Sequence, residues 1–177
     1  MKNKIFISYH HSDDEFYKEL FIKNFSFQYD ILLNRTELNK MDNKMSTEFI
    51  QKKIRNECLI DSIVTIVLIG AQTWQSKNID WEIASSLSSD ESNARSGLIG
   101  ILLPTYPLYL QNKFDPFTIP PRFYDNLKIG YAKIYKWTTS VDEIDLWIQE
   151  AIQRKEQIPP DQTRPWFSNN RVGANWS

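Results

Sequence analysis

The sequence predicts an α/β fold: a flavodoxin-like, five-stranded parallel sheet in the order 2-1-3-4-5, with helices on both faces. Three observations predict it. Short apolar runs alternate along the chain with amphipathic helical stretches. Those runs are apolar at almost every residue, the mark of strands buried on both faces. The 177 residues, 41% of them hydrophobic, also suffice for one domain, because a chain of about this size buries roughly 70% of its unfolded surface.

The elements follow in order. Lys4 to Ser8 is a short apolar strand. Asp13 or Asp14 then caps a helix whose Phe16, Leu20, Phe21 and Phe25 keep a helical period. Asp30 to Leu33 forms the second strand, and Asn34 to Lys44 a polar loop. Ser46 or Thr47 opens a second helix that runs to Cys58. The clearest strand, Ile63 to Ile69, is rich in β-branched residues and is closed by Gly70. A helix from Asn78 to Leu87, a strand from Leu98 to Leu103, a strand from Tyr131 to Trp137 and a helix from Val141 to Lys155 complete the alternation. Two segments stand outside it. Pro104 to Leu127 carries five prolines and six aromatics without a clear period, the pattern of a packed insertion or a loop over a site. The tail, 159–177, is polar but holds Trp166, Phe167 and Trp176, so it is expected to dock on its own domain, residues 1–158, or on a partner.

Composition excludes several functions. Lys and Arg number 21 against 22 Asp and Glu, for a net charge of −1, which does not suit a nucleic-acid surface. A single cysteine, Cys58, rules out an internal disulfide and a cysteine metal cluster, and two histidines adjacent in sequence, His10 and His11, do not suit a multi-histidine zinc site; no metal is expected. The N-terminus enters a strand at once, and the longest apolar run falls far short of the ~20 residues of a membrane helix. The expectation is a soluble, cytoplasmic chain with no membrane partner.

In an open sheet of this order the ligand crevice lies beyond the carboxyl ends of strands 1 and 3. It should therefore be lined by Ser8, Tyr9, His10 and His11 and by the segment after Gly70. A phosphate-binding glycine loop, a dinucleotide G-x-G-x-x-G turn and a nucleophile elbow are all missing there. Gly70 also stands where a phospho-acceptor acid would be needed. What remains is a carboxylate, Glu82, near the start of the helix after strand 3. An acid in that position can equally serve the helix dipole, the role expected of Asp80.

Three segments together carry a resemblance: KIFISYHHSDD, TIVLIGAQTW and IDWEI. In this order and spacing they resemble the TIR-like domain of the Thoeris antiphage system, the ThsB family, over the chain from strand 1 to Trp137. The resemblance implies cleavage of the nicotinamide–ribose bond of NAD+, which serves as substrate with no further cofactor. It implies an ADP-ribose-derived signal, a cyclic isomer or a conjugate, that activates a separate effector on infection. By motif it puts the catalytic glutamate on Glu82 and the substrate-binding residues on Ser8, Tyr9, His10 and Asp13, with Trp81 beside them. A phage-derived trigger and a second copy of the chain are the further partners it implies. The last forty residues match less clearly and carry no functional weight in this comparison.

The chemistry suits those residues. Loss of nicotinamide leaves an oxocarbenium-like ribose, and a carboxylate beneath it stabilises the developing charge more in the transition state than in the ground state. Such a group is typically worth about 2.7–4 kcal/mol. Tyr9 and Trp81 can stack on nicotinamide or adenine, backbone amides and a base such as Lys77 can meet the pyrophosphate, and the proline-rich loop, first read as a packed insertion, is a candidate cover for the site. Two other readings keep the fold: a non-catalytic TIR-like adaptor, and a nucleoside deoxyribosyltransferase-like enzyme, which also sets a glutamate at an anomeric carbon.

Overall fold

A computed structural model describes residues 1–34, 41 and 44–177; most of the expected polar loop 34–44 therefore lies outside the described residues. Five strands, β1 (Lys4–Ser8), β2 (Asp30–Leu33), β3 (Val64–Ile69), β4 (Gly97–Leu102) and β5 (Ala132–Lys136), pair throughout in parallel in the order β2-β1-β3-β4-β5. The helices are α1 (Glu15–Phe25), α2 (Thr47–Glu57), α3 (Lys77–Leu87), α4 (Pro121–Lys128) and α5 (Val141–Gln157). The doubly wound architecture expected from the sequence is the one observed.

Strand β3 shows why its run is apolar at nearly every position. Val64, Ile66 and Leu68 face a core built with Phe21 and Phe25 of α1 and Ile144 and Ile148 of α5. Val67 and Ile69, on the other face, pack with Ile79, Ile83 and Leu87 of α3 and Phe123 of α4. Thr65 is the polar exception, and its hydroxyl shares a 2.7 Å hydrogen bond with Ser86 of α3. Gly97 at the start of β4 has a packing role: a Cβ there would lie 2.8 Å from the Ala151 carbonyl oxygen of α5. A third cluster joins Phe6 of β1 with Ile50, Ile54 and Cys58 around α2 and with Trp81 of α3.

Three expectations need correction. Phe16 is 65% exposed, and the buried face of α1 is Lys18, Phe21 and Phe25. Asp14 occupies the N-cap position of α1 but makes no side-chain cap; its carboxylate is buried and receives the Thr105 hydroxyl. The segment 104–127 contains a helix, since α4 begins at Pro121. Proline suits the first helical position, where no amide hydrogen is needed, so Pro121 starts an element inside a segment that showed no clear period. Ser46 and Ser140 do cap their helices, accepting from the Phe49 and Glu143 amides. Among the described residues no helix is long and apolar enough to cross a membrane.

Candidate active site

Strand β1 ends at Ser8, which pairs with Val67, while β3 runs two residues further to Ile69, and the chain leaves the sheet on both sides of that point. The result is a crevice of about 500 Å³, within the usual range of ligand pockets. One wall is Tyr9 to Ser12 after β1, another is Gln72, Gln75 and the first turn of α3, and Asn34 closes the end of β2. Asn170 and Arg171 of the tail line it as well.

Glu82 forms the floor. Helix α3 is started by Ser76, whose hydroxyl accepts from the Ile79 amide, and this start places Glu82 under the end of β1. The residue is only 3% exposed. The Ser8 hydroxyl donates to Glu82 Oε2 at 2.5 Å, and the Asn34 side-chain amide donates to Oε1 at 2.6 Å. The Cys58 thiol in turn donates to Asn34 Oδ1 at 3.4 Å, so β1, β2 and the end of α2 all orient one carboxylate. Burial pushes the Glu82 carboxyl from 4.5 up to about 7, although the hydrogen bonds from Ser8 and Asn34 favour the ionised form. A carboxyl held near neutrality is suited to proton transfer or to facing a developing cation.

The segment after β1 supplies flat groups. The Tyr9 ring stacks on His11 with centroids 4.5 Å apart, and the tyrosine hydroxyl lies 3.4 Å from His11 Nδ1. Burial pushes the Tyr9 phenol up and the His11 imidazole down. His10 lines the crevice and approaches Asp13 at 3.5 Å. Asp13 itself is exposed and is not part of the lining. Its neighbour Asp14 is the buried acid of this turn, and burial pushes its carboxyl up. Gly70 is needed here, because a Cβ would come within 2.4 Å of Asp14 Oδ2.

Ser8, Tyr9, His10 and Glu82 are thus brought together as expected, and three other expectations are corrected. Trp81 is 2% exposed, sits in the core with Phe6 and Ile54, and donates its indole N–H to the Phe167 carbonyl at 2.8 Å. Consecutive helix residues point about 100° apart, so a Glu82 side chain in the crevice turns Trp81 away from it. The Lys77 ammonium lies 4.6 Å from the centre of the Trp81 ring and does not line the crevice. The segment 104–127 does not cover the crevice and is instead the packed insertion that its pattern also allowed, with Tyr106 and Phe123 buried against α3.

Asp80 does lie in the first turn of α3, but it is buried and paired with Arg122 through two contacts of 2.9 and 3.2 Å. The segment after Gly70 lines the crevice as expected, through Gln72 and Gln75, whereas sequence reasoning missed Asn34, Asn170 and Arg171. The amides near α3 had a usable signal, since the crevice rule covers everything between Gly70 and the helix. Asn34 and the tail had none, because only the closed fold brings them there. Among the described residues no group of three or more His, Cys, Asp or Glu side chains is placed to hold a metal.

No curated protein matches the chain. A solved structure of the activated Roq1 resistosome directly recognizing the pathogen effector XopQ (its TIR domains) aligns over 88% of this chain and 84% of its own, at 16% identity and a TM-score of 0.38. That overlap is too loose to carry any argument. The family model of the Thoeris protein ThsB, TIR-like domain, matches residues 6–107, a span that holds Ser8, Asn34 and Glu82 and more than half of the sequence. The chain belongs to that family of TIR-like domains.

Proposed function

We propose that the protein cleaves the bond between nicotinamide and ribose in NAD+, with Glu82 as the catalytic carboxylate. The observation that carries this reading is Glu82 itself: a buried acid on the crevice floor, oriented through both oxygens by Ser8 and Asn34. The C–N bond breaks with its electron pair leaving on nicotinamide, and the ionised Glu82 faces the cationic ribose that remains. Water, or a hydroxyl or nitrogen of a nucleotide, then takes the anomeric carbon and releases a proton. Nicotinamide is already cationic in NAD+, so its departure needs no strong acid. The Tyr9–His11 pair offers a face for a planar ring. Family membership supports the wider role, in which an ADP-ribose-derived product made in the cytoplasm on infection activates a separate effector.

The test is nicotinamide release from NAD+, read by chromatography, in cells expressing the protein before and after infection. Wild type is expected to release it, and Glu82→Gln to fall by about 10²–10³-fold. Equal release by both removes Glu82 from the reaction, and none by either while a partner is still bound favours the adaptor reading. Cleavage of nucleosides in preference to NAD+ favours the deoxyribosyltransferase-like one.

A further inference from the structure

We infer that Arg171, carried by the C-terminal tail, is the diphosphate-binding residue of the crevice, so that the tail completes the substrate site. The inference rests on the NAD+ reading only for the identity of the ligand; the chemistry it assigns is that of a nucleoside diphosphate. The span matched by the family ends at residue 107, and Arg171 lies far beyond it.

The tail is tied to the helix that carries Glu82. The Phe167 amide donates to Asp80 at 2.9 Å, and the Trp81 indole donates back to the Phe167 carbonyl. Further along, Asn170 accepts the Lys77 amide at 2.8 Å, and the Arg171 amide donates to the Gln75 carbonyl at 2.8 Å. Four consecutive ties therefore hold residues 167–171 against the rim of the crevice.

The charge placement follows. Among the described residues of the lining, Glu82 supplies the carboxylate and Arg171 the guanidinium. Arg55, Arg122, Arg154 and Arg164 each meet a carboxylate, whereas Arg171 meets none among the described residues. Its guanidinium carbon lies instead 4.4 Å from the centre of the Phe167 ring, and that ring is itself buried. An aromatic platform of this kind orients a guanidinium and leaves its fork of donors for an oxyanion pair. With an acid on the floor and this cation on the rim, a ligand whose anomeric carbon meets Glu82 presents its diphosphate to Arg171.

The experiment measures ADP-ribose binding by calorimetry at several salt concentrations, for wild type, Arg171→Gln and Arg171→Lys, beside the NAD+ assay. Arg171→Gln is expected to weaken ADP-ribose at least tenfold, flatten the salt dependence, and raise KM for NAD+ far more than it lowers kcat. Arg171→Lys is expected to recover part of the affinity and the salt slope. Unfolding temperatures matched to wild type separate lost contact from lost fold. Equal ADP-ribose affinity in wild type and Arg171→Gln overturns the inference, as does a wild type that does not bind ADP-ribose. Arg171-dependent binding without any nicotinamide release keeps this site and overturns the NAD+ cleavage reading instead.

Discussion

Glu82 is asked for two opposed things: folding buries it, and the proposed chemistry needs its charge. Between the ordinary value of 4.5 and its folded value of about 7, the native chain keeps a proton that the unfolded chain has released. Stability is therefore fullest below pH 4.5 and falls as pH rises to 7, by an amount on the order of 3 kcal/mol. Glu82→Gln keeps the shape and removes that loss. Its unfolding temperature should gain on wild type by roughly 6–12 °C between pH 4.5 and pH 8, read by calorimetry at both values. Activity should run the other way. In wild type, kcat/KM for NAD+ should rise tenfold per pH unit below about 7 and then level off. The cationic nicotinamide favours the ionised carboxylate, so the kcat profile should level at a lower pH than kcat/KM. Asn34 can be tested on the same curve. Its amide donates to the ionised form, so Asn34→Ala should displace the kcat/KM profile to higher pH, and an unmoved profile would remove Asn34 from the site.

At the scale of one element, helix α3 serves two masters within three residues. Glu82 faces the crevice, Trp81 fills the core behind it, and Asp80 holds the tail through Arg122 and the Phe167 amide. Arg122 also donates to the Arg164 and Pro165 carbonyls. Arg122→Ala leaves a buried carboxylate without its counter-charge, an arrangement that typically costs about 3–5 kcal/mol. Thermal melts should show that loss as a fall in unfolding temperature. Arg122→Lys should restore little of it, because one ammonium cannot replace a two-pronged contact and two carbonyl ties. The alternation of residues 79–83 explains what the sequence could tell. The buried strand runs and the Ser46 cap were readable because their cause is local. The division between Trp81 and Glu82 was readable too, from the helical turn alone, yet proximity in sequence suggested a shared role. Helix α4 was hidden because prolines at a helix start look like prolines that end one.

For the whole molecule, the boundary expected at residue 158 separates a sheet domain from a tail that the fold does not treat as separate. Asp161 receives Asn126, Arg164 pairs with Asp125, and Trp176 donates to the Ile119 carbonyl while packing on Phe117. These contacts join α4, α3 and the crevice rim into one surface; Trp166, Phe167 and Trp176 pointed to docking, but no local pattern in residues 159–177 gives its place. Two truncations should therefore behave differently. Removal of 168–177 takes Asn170, Arg171 and Trp176 but leaves Trp166 and Phe167 over Trp81. It should give a chain that still melts cooperatively with wild-type far-ultraviolet circular dichroism, and whose KM for NAD+ rises at least tenfold. Removal of 159–177 also strips Asp80 and Arg122 of the tail groups they hold and uncovers the Trp81 indole N–H. It should lower the unfolding temperature well below that of the shorter truncation and expose Trp81 to fluorescence quenchers. If both truncations melt alike and cleave NAD+ as the full chain does, the tail is an ornament on the domain; if they separate in this order, residues 168–177 belong to the site and residues 159–167 to the core.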